Sequence, residues 1–147
     1  MTKTKSSAFE RSSSVWRLSL TADEKDVLDR FLDDQGQSLK QVIDLSIAHA
    51  IMAWHRNRLP EFILPSKDSF KVGVRIDKIA VETLNARAQD WFNGLPNPPI
   101  SNLSLLLTAL WAYILETAKD DFASQVARLL EQQNRVKIKL AADRFAS

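Results

Sequence analysis

The chain has 147 residues, 45% of them hydrophobic and 26% charged, with a net charge of only +2. This length and composition bound it to one soluble globular domain, or two very small units sharing a core. So small a net charge excludes a global field as the means of holding nucleic acid, and the lack of cysteine excludes disulfides and thiolate chemistry. The same lack of cysteine fits a reducing cytoplasm. No apolar segment near the N-terminus reads as a secretory signal.

Residues 1–14, MTKTKSSAFERSSS, are polar and Ser-rich, with Lys3, Lys5 and Arg11 against Glu10, and read as a flexible basic arm. VWRLSL (15–20) then alternates: Trp16, Leu18 and Leu20 on one face, Val15, Arg17 and Ser19 on the other. Thr21 to Glu24 forms a capping-box signature for a helix start. Val27, Leu28, Phe31 and Leu32 give that helix its apolar stripe, and Gly36 ends it. Ser38 can cap a second helix with the stripe Val42, Ile43, Ser46, Ile47, Ala50, Ile51 and Trp54. The first unit is thus assigned to 15–57, and HRNRLPEFILPSKDS, with prolines at 60 and 65, supplies a linker over 58–69.

From Phe70 the same order recurs. FKVGVRI turns Phe70, Val72, Val74 and Ile76 to one face and Lys71, Gly73 and Arg75 to the other. Asp77 caps a helix with Leu84, Ala88 and Trp91 on its inner face, closed at Asn93-Gly94. After LPNPP, Ser101 caps a fourth helix whose Leu105, Leu106, Ala109, Leu110, Tyr113 and Ile114 follow the second helix's stripe at a constant offset of 63. The strand ends Leu20 and Ile76 differ by 56, so the second copy (70–117) carries seven extra residues around its proline-rich loop. The recurrence of the whole order argues for an internal duplication. A lone strand leaves its backbone groups without partners, so the economical arrangement pairs the two strands antiparallel over the helices.

This pattern, over about residues 15–117, resembles the ribbon-helix-helix superfamily of repressors (the Arc and MetJ type), with two copies fused in one chain. The resemblance implies a mainly α fold with a two-stranded antiparallel β-ribbon, a tandem pseudo-dimeric arrangement, and a C-terminal helical extension. It also implies that the paired strands enter the major groove of double-stranded DNA, with alternate side chains on base edges. Carried over by position, the base-reading residues are Val15, Arg17, Ser19, Lys71, Gly73 and Arg75. Arg suits guanine O6 and N7, Lys is a looser donor to the same edge, Ser serves several bases, and Val15 suits a thymine methyl. Gly73 leaves space for Arg17 or for close approach of DNA. Exposed strand cations can also serve only to discourage edge pairing. The superfamily further anchors phosphates on backbone N–H groups at the start of the second helix of each unit, which points here to Ser38, Leu39 and Lys40 and to Ser101, Asn102 and Leu103. Ser38 and Ser101 serve equally as plain helix caps.

Other features have plainer readings. The uncharged stretch Ile100 to Leu115 holds Ser101, Asn102, Ser104 and Thr108 and is short for a membrane span, so a buried helix is expected. Its off-stripe residues Leu103, Leu107, Trp111 and Leu115 need a cover, either DFASQVARLLEQQ from the C-terminal segment 118–147 or a second chain. RVKIKLAADRF (135–145) reads as a third strand, a basic tail or more helix. Trp16, Trp54 and Trp91 fall on core faces, and the acids Asp23, Glu24, Asp26, Asp29, Asp33 and Asp34 read as a solvated face. His49 and His55 are badly spaced for a metal, and no catalytic motif is present, so neither metal, cofactor, small-molecule substrate nor enzymatic activity is expected. The expected function is sequence-specific DNA binding in a bacterial-type cytoplasm, most simply transcriptional repression. A plasmid transfer or partition accessory, or an antitoxin, fits equally well. The rival class is a protein interaction module with a purely structural ribbon, and self-association through helix surfaces is a further option.

Overall fold

The computed structural model describes residues 13–55, 58–65, 70–92, 100–132 and 137–138. In chain order the elements are β1 (Ser13–Leu20), α1 (Ala22–Gln35), α2 (Leu39–Ala53), β2 (Phe62–Ile63), β3 (Phe70–Asp77), α3 (Lys78–Trp91), α4 (Asn102–Thr117), α5 (Asp120–Gln132) and β4 (Lys137–Ile138). The fold is mainly α, with β1 and β3 paired as a two-stranded antiparallel ribbon over eight rungs, from Ser13 opposite Asp77 to Leu20 opposite Phe70. No described helix is long and apolar enough to cross a membrane.

Local chemistry sets the helix ends. The Thr21 hydroxyl accepts from the Glu24 N–H at 3.2 Å while the Glu24 carboxylate accepts from the Thr21 N–H at 2.9 Å, closing a reciprocal cap on α1. Gly36 ends α1 at φ 63°, in the left-handed region where a side chain is disfavoured. Ser38 and Gln41 close a second capping box on α2. Asp77 accepts from the Ile79 N–H at 2.9 Å, so α3 starts straight out of β3. Ser101 accepts from the Ser104 N–H at 3.1 Å and starts α4.

The inner face of the ribbon packs Leu18, Leu20, Val74 and Ile76 onto the helices, with the α2 stripe Val42, Ile43, Ile47 and Ala50 against α4's Leu105, Leu106, Ala109 and Leu110. Three residues of that face depart from expectation, Val72 being only half-buried. Phe70, at the first rung of β3, is 59% exposed, whereas Leu20 opposite it is buried where β1 runs into α1. Trp16 is only half-buried, because it lines an open groove against α3 and is not sealed beneath it.

The domain boundaries also shift. Ser13 and Ser14, expected in the arm, extend β1 through their pairing with Asp77 and Ile76, and the rest of the arm lies outside the described residues. The expected linker carries core: Phe62 and Ile63 are buried, and Phe62 stacks edge-on to Trp54 and against Phe92. β2 pairs with β4, so residues 137–138 form a strand rung; the remainder of 135–145, like the loop at 93–99, is outside the described residues. Helix α5 covers the second face of α4 through Val126 and Leu130, and also stacks Phe122 on Phe31 of α1. Chain segment 59–65 shares that task. Ile63 donates its N–H to Thr108 at 2.8 Å and accepts from the Ser104 hydroxyl. Among the acids of α1, Glu24 is buried, because its carboxylate is spent on the cap.

Candidate functional site

The pleat places Ser13, Val15, Arg17 and Ser19 of β1 and Lys71, Gly73, Arg75 and Asp77 of β3 on the ribbon's outer side. Four of the six expected reading residues are exposed there: Val15 (54%), Arg17, Lys71 and Gly73. Arg75 is half-buried. Ser19 is fully buried, which departs from its expected role as a reading residue. Lys71 reaches across the rung and donates to its hydroxyl at 3.4 Å, so Ser19 is a seat for a cation instead of a contact surface. A similar seat exists at the other end, where Arg75 donates to the Ser13 hydroxyl at 3.3 Å. These two serine seats had no signal in the sequence beyond the alternation itself.

Arg17 differs from both. It stands opposite Gly73, and among the described residues its guanidinium has no hydrogen-bond or ion-pair partner. A Cβ built on Gly73 meets only a Val15 methyl, at 3.7 Å, so the glycine is not forced by crowding within the chain. What it provides is a low floor beside a free guanidinium. Three cations therefore share one side of the ribbon. The one acid in that row, Asp77, is at the end and is turned to the α3 cap. Among the described residues the ion pairs Lys25–Asp29 and Lys40–Asp44 lie elsewhere, as does the His49–Glu116 contact. Lys25, on α1 and off this surface, has its pKa raised by its hydrogen bond to Asp29.

The two helix starts are chemically unequal. At α2 the Ser38 N–H already donates to the Gln41 side chain at 2.9 Å, so its expected part as a phosphate donor does not fit the geometry. Leu39 and Lys40 remain with first-turn N–H groups that no intrahelical carbonyl can reach. Lys40 itself is drawn 2.8 Å from Asp44, an exposed pair that contributes little stability and can open. At α4 no capping box forms, because residue 104 is serine where α2 has Gln41. Among the described residues no side chain accepts from the main-chain N–H groups of Ser101, Asn102 and Leu103. The Asn102 side chain accepts from Asn85 at 2.9 Å, and Asn85 in turn accepts from Gln89 at 3.1 Å, which ties the start of α4 to α3. Asn102 also shares a groove of about 550 Å³ with Ser14 and Trp16, so this helix start lies beside β1.

Among the described residues there is no cluster of three or more His, Asp or Glu side chains placed to hold a metal. Comparison with family models, curated proteins and solved structures returned no match for the chain.

Proposed function

We propose that the chain is a sequence-specific double-stranded DNA-binding protein of ribbon-helix-helix type, with both units fused in one polypeptide. Its ribbon lies in the major groove, and its use is transcriptional repression by promoter occupancy. The observation that carries this reading is the outer side of the ribbon, which Arg17, Lys71 and Arg75 share and where none of them has an ion-pair partner among the described residues. A two-stranded ribbon matches the width of the major groove, and arginine and lysine are the side chains suited to guanine edges there. Lys71 and Arg75 rest on serine hydroxyls that restrict their wandering without neutralising them. First-turn N–H groups at the starts of α2 and α4 supply anchoring to phosphates.

The test is fluorescence anisotropy of the whole chain against a labelled pool of random duplexes, repeated across a salt series. Neutralising several phosphates makes log affinity fall linearly with log salt, by a slope of about 0.9 per contact. A steep slope together with enrichment of particular sequences supports the reading. A chain that ignores duplex DNA even at low salt would have a purely structural ribbon.

A further inference from the structure

Resting on that reading, we infer that a single chain recognises an asymmetric, non-palindromic core sequence, with Arg17 at its centre and the Lys71 and Arg75 side chains at its two ends.

The register supports this. In the sequence repeat Val15 corresponds to Lys71, Arg17 to Gly73, and Ser19 to Arg75. In the ribbon Val15 faces Arg75, Arg17 faces Gly73, and Ser19 faces Lys71. Arg17 and Gly73 are partners in both senses, so the axis that exchanges the two strands passes between them. A symmetric dimer must place the same residue on both sides of that axis, and palindromic sites mirror this. Here the axis has one guanidinium on one side and a bare backbone on the other.

The asymmetry extends outward from the axis. On one flank the exposed Val15 is beside Arg75, which is seated on Ser13. On the other, Lys71 lies over the buried Ser19, its partner across the rung. The helix starts differ too, with a capping box between Ser38 and Gln41 and none between Ser101 and Ser104. A palindrome offers identical edges to both halves, so this ribbon can satisfy only one half of it at a time.

Selection from random duplexes with the full chain, then native mass spectrometry on the shortest duplex that retains binding, tests the inference. The expected result is a non-palindromic consensus and one chain per core. A palindrome built from either half of that consensus should bind about tenfold or more weakly, since each mismatched pair has its own cost. A triple variant, Lys71→Val, Gly73→Arg and Arg75→Ser, makes the outer residues of β3 copy those of β1. It should move the consensus towards a palindrome; if it fails to fold, the wild-type consensus and stoichiometry decide alone. A palindromic wild-type consensus, or an obligatory two chains on the shortest core, overturns the inference while leaving DNA binding intact. No retained duplex at low salt overturns the DNA reading itself, and this inference with it.

Discussion

Arg17 and Leu18 are neighbours on β1 and face opposite ways, and substituting each by alanine separates recognition from folding. Leu18 is fully buried between the strands and the helices, so Leu18→Ala should destabilise the fold by about 2–5 kcal/mol, read as a lowered melting midpoint. Any loss of DNA binding in that variant should follow the loss of fold. Arg17 is exposed and makes no hydrogen bond or ion pair among the described residues, so Arg17→Ala should leave the circular dichroism spectrum and melting midpoint unchanged. It should instead relax base preference at one position by about 1–3 kcal/mol, measured by repeating the duplex selection. The pleat made these opposed facings, Leu18 buried and Arg17 exposed, legible in the sequence. The burial of Ser19 was not legible, because a hydroxyl beneath a cross-strand lysine looks like any other outward serine until the register is known.

At the scale of elements, the caps at Thr21, Ser38, Asp77 and Ser101 were readable because each acts within three residues of itself. The pairing of β1 with β3 followed from the need of each strand for a partner. β2 escaped the reading for a matching reason. A two-residue strand has no period, and its backbone is satisfied at long range by Ser104 and Thr108, four residues apart on α4. Thr108 also donates to the Ser104 carbonyl at 2.7 Å, so its hydroxyl serves both helix and strand. Thr108→Val keeps the shape and leaves the buried Ile63 N–H without its acceptor. Urea titration should show a loss of about 1–3 kcal/mol, with the Arg17-dependent base preference unaltered. Equal stability in that variant would mean that this hydrogen bond adds nothing to the fold. Gly36→Ala has no steric conflict, since nothing lies within 4 Å of the added carbon, yet φ 63° is retained by the α1 cap. The cost there should be about 1–2 kcal/mol, from backbone strain alone.

On the scale of the whole molecule, the five helices and the buried pair Phe62–Ile63 share one core, with Trp54, Phe62, Trp91 and Phe92 in contact where the two strand-helix-helix units meet. The ribbon closes over a large stretch of chain, because its innermost rung joins Leu20 to Phe70 and its outermost joins Ser13 to Asp77. Such non-local pairing is slow to form, but it is intramolecular. A ribbon assembled from two chains comes apart on dilution, since its stability depends on protomer concentration. This one should not: its thermal midpoint should be the same across a thousandfold dilution, read by intrinsic tryptophan fluorescence. In a cell holding only a few copies, the consequence reaches the dose response. On the proposed DNA-binding reading, every molecule made would carry a finished reading surface, so occupancy of a single core site should rise hyperbolically from the first copies, with no threshold set by an encounter between partners.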